Sequence, residues 1–124
     1  MRKALEDELF RRHPKILNGT LIGHKISCGD GWFNLLDHLC TDIDDHKNSC
    51  PDSPQVQAFE IKSVNAGLRF YATGCDKYTS TAINQAEERS YALCEECGDK
   101  GDRNYKKDGI KCLCSLHRAI DQNL

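Results

Sequence analysis

Apolar residues recur at helical spacing in three stretches of the chain. The clearest stretch begins at Gly29-Asp30-Gly31-Trp32, and apolar residues then follow every three or four positions, which predicts an amphipathic helix. Asp30 can accept hydrogen bonds from the free amides of a first helical turn, so we predict that it caps this helix. Residues 46–54 are rich in turn-forming residues and predict a loop after it. The apolar face of the helix is predicted to contain Trp32, Leu35, Leu36, Leu39, Cys40 and Ile43.

A shorter helical pattern covers residues 2–12 and ends before Pro14, because a residue that precedes proline avoids the helical region. Its apolar edge predicts that the helix packs on the core, with a partner-binding helix as the alternative. Residues 15–29 have no regular period, and Asn18-Gly19 indicates a turn between two short apolar runs.

Two later segments have the composition and alternation of β-strands. They cover residues 55–64 and 68–73, and Asn65-Ala66-Gly67 between them supplies a turn. The two segments therefore predict an antiparallel hairpin. The face predicted to lie on the central helix carries Leu68, Phe70 and Ala72.

A third helical pattern is predicted to begin at Ser80 or Thr81 and to reach Leu93. Its stripe of small residues permits a close approach to the hairpin. Together these elements predict an α+β fold, in which an antiparallel hairpin packs with two or three helices. We predict that residues 1–93 form this core and that residues 94–124 form a small zinc ribbon packed on it in one compact unit.

Four metal-binding side chains form two pairs near the C-terminal end. Cys94 and Cys97 make a C-x-x-C pair followed by Gly98, and Cys114 and His117 make a C-x-x-H pair. Two ligands at this spacing can reach one ion from a tight turn, and Zn²⁺ takes four such ligands in a tetrahedron. We therefore predict one Cys₃His zinc site. Its role is predicted to be structural, because four protein ligands leave no position for a catalytic water.

Two features of these cysteines allow another interpretation. Cys112 competes with Cys114 for the metal, since both would share one face of a strand predicted for residues 110–114. We favour Cys114 because it forms a pair with His117. A redox C-x-x-C normally opens a helix beside a strand, whereas this one follows a helix and precedes the polar segment 99–109, which we predict to be a loop.

Composition narrows the classes of function and the compartment. The chain has 124 residues and a formal net charge of -2, so it has no overall electrostatic attraction to nucleic acid. No apolar run approaches the ~20 residues of a membrane helix, and no apolar run follows the first charged residues as in a secretory signal. Eight cysteines without such a signal favour metal binding over disulfides, and we expect a reducing, cytoplasmic location.

Four motifs follow one another along the chain: Gly29-Asp30-Gly31-Trp32, Gly67-Leu68-Arg69-Phe70-Tyr71, Cys94-x-x-Cys97-Gly98 and Leu113-Cys114-x-x-His117. In this order, and with Leu35-Leu36 after the first, they resemble a family of small uncharacterised proteins of tailed bacteriophages and prophages. The resemblance covers about residues 26 to 118. The position of Cys112 is often a threonine or another non-ligand in that family, which implies the ligand set chosen above. The resemblance also implies a host-takeover or anti-defence role in the host cytoplasm.

The function favoured at this point is non-enzymatic binding of a host or phage protein, such as a component of host defence. A nucleic-acid-binding zinc ribbon is the alternative, in which basic side chains contact phosphates and Tyr105 stacks on a base. Aspartates interrupt that basic run, which weakens the alternative. No carboxylate-rich metal centre and no activated nucleophile is evident, so we predict no enzymatic activity. The candidate binding surface consists of Arg69, Tyr71, Arg103, Tyr105, Lys106 and Lys107.

Overall fold

The computed structural model describes residues 1–18, 26–106 and 109–122, and these residues form an α+β fold, which confirms the predicted fold class. Among the described helices, none has the length and apolar content needed to cross a membrane. The helices are α1 (Lys3–Arg12), α2 (Phe33–Ser49), α3 (Lys77–Ser90) and α4 (Ser115–Gln122), with a 3-10 turn at Asp30–Trp32 before α2. The strands are β1 (Gln57–Val64), β2 (Gly67–Thr73), β3 (Asp102–Lys106) and β4 (Gly109–Leu113).

β1 and β2 form the predicted antiparallel hairpin. Its turn residues Asn65 and Ala66 have φ angles of 52° and 71°, and two left-handed residues in a tight turn match the twist of the paired strands. The register shifts between Ala58 and Glu60, and this bulge leaves Phe59 46% exposed. The bulge therefore presents a large aromatic side chain outside the core.

One face of the hairpin packs with α2 and α3 to form the main core. The outer edge of β2 is satisfied by α3, because the Leu68 amide donates to Ser90 Oγ at 2.8 Å and the Phe70 amide donates to Glu87 Oε2 at 2.9 Å. This edge is consequently not open to a further strand. The buried residues of the core include Trp32, Leu35, Leu36, Leu39, Ile43, Ile61, Leu68, Phe70, Ala82, Ile83 and Ala86.

The ends of two helices differ from the prediction. α2 continues to Ser49, through part of the segment predicted to be a loop. α3 begins at Lys77, earlier than predicted, and ends at Ser90 instead of reaching Leu93. The earlier start has a local cause: Asp76 accepts the Thr79 amide at 2.9 Å, and Thr79 Oγ1 accepts the Asp76 amide at 2.9 Å. His46 Nε2 lies 2.7 Å from Asp76 Oδ2 and ties the two helices together. The Thr79 amide, followed by His46, lowers the pKa of Asp76 to about 2.

The predicted cap at Asp30 is wrong. Neither the 3-10 turn nor α2 has a side-chain cap at its first residues. The Asp30 carboxylate instead accepts the Arg2 amide at 2.7 Å and pairs with Arg2 Nε at 2.7 Å. The 3-10 turn places Trp32 at the cap position of α2, so the carboxylate of Asp30 is free to bind the start of α1.

The C-terminal part is a second antiparallel hairpin followed by α4. β3 pairs with β4, so residues 102–106 form a strand rather than part of the predicted loop. Arg103 lies opposite Cys112 in this pair.

In the N-terminal part of the chain, the predicted turn at Asn18-Gly19 lies partly outside the described residues.

Candidate metal centre

The four predicted ligands lie together in the structure. The sulfur atoms of Cys94, Cys97 and Cys114 and a ring nitrogen of His117 all lie within 4.8 Å of one another. Cys97 Sγ is 3.7 Å from Cys114 Sγ, and His117 Nδ1 is 3.6 Å from Cys94 Sγ and 3.2 Å from Cys114 Sγ. A tetrahedral ion with bonds of about 2.3 Å to sulfur and 2.0 Å to nitrogen has edges of about 3.8 Å between sulfurs and 3.5 Å between sulfur and nitrogen. The four side chains can therefore hold one metal ion.

Two backbone turns set the positions of these side chains. The Gly98 amide donates to the Cys94 carbonyl oxygen at 2.8 Å, and Gly98 has a φ of 82°, a left-handed conformation that favours glycine. Cys114 directly precedes α4, and the Arg118 amide donates to its carbonyl oxygen at 2.9 Å. His117 is thus in the first turn of α4, from which its ring returns to the Cys114 sulfur.

Cys112 does not join this group. Its side chain is fully buried, and its thiol donates to the carbonyl oxygen of Tyr91 at 3.2 Å. β4 ends at Leu113, so the strand alternation that predicted a shared face for Cys112 and Cys114 does not reach Cys114. Cys112 instead fixes the segment between α3 and the first cysteine pair.

The electrostatics of the cluster favour a bound cation. The His117 amide donates to the Cys114 sulfur at 3.5 Å and is the main reason why the pKa of this thiol is lowered. The Asp99 amide lowers the pKa of Cys97. Removal from water and the sulfurs of Cys94 and Cys114 together raise this pKa by more, so that it lies at about 12. Without a cation, the negative charge of one thiolate therefore makes it harder for the neighbouring thiols of the cluster to lose their protons. A divalent cation removes this conflict, since metal ligation deprotonates the thiols it binds.

Two glycines let the first cysteine pair pack directly on the core. The Gly31 amide donates to the Glu95 carbonyl oxygen at 2.8 Å. A Cβ atom on Gly31 would lie 2.2 Å from the Cys94 carbonyl oxygen, and one on Gly29 would lie 2.1 Å from that of Glu95. Both approaches are far below van der Waals contact and involve backbone atoms. The two glycines of the Gly-Asp-Gly-Trp motif are therefore required by the cysteine turn.

Two buried side chains complete this contact. Trp32 is fully buried, and its Nε1 donates to the Leu93 carbonyl oxygen at 3.0 Å. Glu95 is only 4% exposed, and its carboxylate accepts the Gly29 amide at 3.0 Å and the Ser63 hydroxyl at 2.8 Å. The sequence predicted that Trp32 is buried but gave no signal for Glu95, because a glutamate between two metal ligands resembles an exposed loop residue.

The outer face of the first hairpin carries interleaved aromatic and cationic side chains. The rings of Phe59 and Tyr71 stack with centroids 6.1 Å apart, and Lys62 Nζ lies 5.6 Å from the centre of the Tyr71 ring. Lys62 is opposite Arg69 in the strand register, so Arg69 lies next to these aromatic and cationic side chains on the same face of the hairpin. We define the basic-aromatic surface as Phe59, Lys62, Arg69, Tyr71, Tyr91 and Arg103.

Tyr91 joins the hairpin to the metal-binding part of the chain. A terminal nitrogen of Arg69 donates to the Tyr91 hydroxyl at 2.8 Å, and the guanidinium carbon of Arg69 is 5.9 Å from the ring centre. The guanidinium carbon of Arg103, on β3, is 4.6 Å from the same ring centre. A Cβ atom on Gly67 would lie 2.5 Å from the Tyr91 ring, so this glycine makes room for the ring.

Three of the six residues predicted as a binding surface, Arg69, Tyr71 and Arg103, therefore lie on one surface. The side chains of Tyr105 and Lys106, and the whole of Lys107, lie outside the described part of the structure. Sequence reasoning missed the other members of the surface. Outward alternation along β1 could have indicated Lys62, but Phe59 depends on the bulge and Tyr91 follows the end of a helix.

The remaining cysteines lie apart from the metal cluster, and the chain's eight cysteines, all of them described, form no disulfide. Burial, followed by the charge of Glu95, raises the pKa of Cys28 to about 12, and burial also raises the pKa of Cys40. Cys50 is exposed.

Comparisons of the chain with protein-family models, with curated proteins and with solved structures find no match. The resemblance to bacteriophage proteins therefore stays a prediction, and function has to be inferred from the geometry of the residues.

Proposed function

We propose that this is a non-enzymatic binding protein, stabilised by a structural zinc ion, that holds a protein partner on its basic-aromatic surface. The observation that carries the proposal is the composition of that surface. Arg69 belongs to the first hairpin, whereas Arg103 belongs to the hairpin that leads to the second metal-binding pair, and both guanidinium groups lie against Tyr91. The metal-binding part of the chain thus supplies one of the two arginines of the surface.

Zinc is the ion that fits best, because three thiolates and one imidazole are a common set for structural zinc. When bound, the ion would cross-link the first cysteine pair to the start of α4 and hold the β3–β4 hairpin in place. Four protein ligands leave no coordination position for water or substrate, which favours a structural role over a catalytic one. The closed coordination shell is the main support for the proposal that the protein binds a partner and does not catalyse a reaction at the metal.

A protein partner fits the surface better than a nucleic acid does. Tyrosine, phenylalanine and arginine are enriched at protein interfaces and at their energetic centres. Here their side chains are already held by one another, which lowers the entropy lost on binding. Binding of single strands needs ring faces on which bases can stack. Lys62 already lies over the Tyr71 ring, and Arg103 already lies over the Tyr91 ring.

The resemblance to bacteriophage proteins extends the proposal to a biological setting. On that basis the partner is a host or phage protein, such as a component of host defence, and the protein acts in the host cytoplasm. Contacts within the molecule support binding, whereas this setting depends on the resemblance alone.

Affinity capture from a bacterial lysate tests the proposed function. The zinc-loaded protein is compared with the double variant Arg69→Gln/Arg103→Gln and with the control Lys15→Gln/Lys100→Gln, which removes the same charge at two exposed positions outside the surface. We expect the wild type and the control to retain the same protein and the surface variant to lose it. Equal capture by all three, or capture that nuclease treatment abolishes, would contradict the proposal.

A further inference from the structure

We infer that the partner presents an acidic, extended segment, whose carboxylates bind Arg69 and Arg103 and whose neighbouring apolar side chain packs on Phe59. This inference rests on the proposed function and specifies the chemistry of the partner.

Neither guanidinium group forms an ion pair with a carboxylate among the described residues. Arg69 donates to the Leu68 carbonyl oxygen at 2.9 Å and to the Tyr91 hydroxyl, and both acceptors are neutral. Within the described part of the chain, Arg103 makes no ion pair, and its guanidinium group lies over the Tyr91 ring. In a protein with a net charge of -2, this is a local positive site.

The described acidic residues near the surface form no ion pair with either arginine. Glu60 pairs with Lys62 at 3.1 Å, and the Glu87 carboxylate accepts the Phe70 amide. Asp102 precedes Arg103 on β3, and successive side chains of a strand point to opposite faces. Glu60 thus offsets the charge of Lys62. The two arginines are the cations of this surface that remain available to bind an anion.

The geometry of this pair suits carboxylates on an extended chain. Because both guanidinium carbons are close to one ring, they lie within about 11 Å of each other. Residues two apart on a strand lie roughly 6.6 Å apart on the same side, so two acidic residues at that spacing can each reach one arginine. A guanidinium group binds a carboxylate through two parallel hydrogen bonds, and Tyr91 holds both groups before the partner arrives.

An apolar contact beside the arginines completes the site. Phe59 is 46% exposed and Tyr71 is 39% exposed, and the two rings are stacked on each other. They therefore offer one joined aromatic patch next to the charged pair. A partner segment with two acidic residues and a neighbouring aromatic or aliphatic residue would match both the arginine pair and this aromatic patch.

Selection from a random peptide library on the immobilised, zinc-loaded protein tests this inference. We expect enrichment of aspartate or glutamate at positions i and i+2 with an apolar residue nearby. Binding of a selected, labelled peptide should weaken roughly tenfold or more in Arg69→Gln/Arg103→Gln, because each lost contact is a charge-assisted hydrogen bond. The control Lys15→Gln/Lys100→Gln should leave the affinity unchanged.

Two further variants separate recognition from folding. Arg103→Gln alone changes an exposed side chain and should still weaken binding, while circular dichroism confirms an unchanged fold. Gly67→Ala retains both charges but displaces the Tyr91 ring, with which its Cβ would overlap at 2.5 Å, and should also weaken binding.

The outcomes distinguish this inference from the function on which it rests. Selected peptides without acidic enrichment, or peptides that bind the arginine variants equally well, would overturn the acidic segment and leave a protein-binding function standing. Failure to select peptides, together with oligothymidylate binding that the arginine variants lose, would overturn both and favour a nucleic acid.

Discussion

Gly31→Ala gives the sharpest test of how the metal-binding part is attached to the core. The added Cβ would lie 2.2 Å from the Cys94 carbonyl oxygen, 2.5 Å from the Gly98 nitrogen and 2.7 Å from the Cys97 nitrogen. All three atoms belong to the backbone of the cysteine turn, so no side chain can rotate to make room. Gly31 has no positive φ, and the cost of the substitution is therefore steric.

The magnitude follows from the contacts that must separate. Moving the turn by more than about 1 Å breaks the bond from Gly31 to Glu95 and the bond from Trp32 to Leu93, and strains the buried Glu95 carboxylate. Each hydrogen bond contributes about 1 kcal/mol, and a buried group left without a partner costs a further 1–3 kcal/mol. We expect the free energy of unfolding to fall by roughly 3–5 kcal/mol, a large share of the about 5–15 kcal/mol of a typical domain.

Urea unfolding at saturating zinc, followed by circular dichroism, measures this loss. The single tryptophan, Trp32, gives a second signal, since its fully buried indole should shift to longer emission wavelength if the contact opens. Asn34→Ala, at an exposed position in the first turn of α2, is the control and should change the free energy of unfolding little. A loss below about 1 kcal/mol for Gly31→Ala, with unchanged emission, would refute the attachment described above.

Three further predictions concern the cysteines and one helix start. Elemental analysis should find one zinc per chain in the wild type and in Cys112→Ser, but little in Cys114→Ser; retention of zinc by Cys114→Ser with loss in Cys112→Ser would exchange their roles. In the native zinc-loaded protein, mass spectrometry after brief alkylation should find Cys50 modified and Cys28 protected, because one thiol is exposed and the other is buried with its pKa raised to about 12. Asp76, with its pKa lowered to about 2, contributes stability that is present above its unfolded pKa near 4 and is lost as pH falls toward 2. The urea midpoint of the wild type should therefore fall more steeply over this pH range than that of Asp76→Asn, and equal slopes would contradict the role of this carboxylate.

Local patterns were sufficient for the features that depend on neighbours in sequence. Periodicity predicted the central helix and the first hairpin, and ligand spacing predicted the four residues that the structure brings together. Each of these signals lies within one element or one turn. This is why the fold class could be predicted without any knowledge of how the elements meet.

Features that depend on contacts between distant elements could not be predicted. Asp30 has the residue type of a helix cap, yet it binds Arg2 of another segment. Glu95 is buried because it meets Gly29, which is 66 positions away in sequence. Tyr91 gains its place between two arginines only when both hairpins have formed. In each case the residue that determines the position of the side chain is far away in the sequence, so local patterns could not predict the contact.

X-ray absorption at the zinc edge of the purified protein tests the central claim most directly. The proposed site predicts three sulfur ligands at about 2.3 Å and one nitrogen ligand at about 2.0 Å, with no further light-atom ligand in the first coordination shell. A shell of four sulfurs would show that a further cysteine replaces His117. Oxygen ligands in the shell would show an open site, and the structural role of the metal would then be wrong.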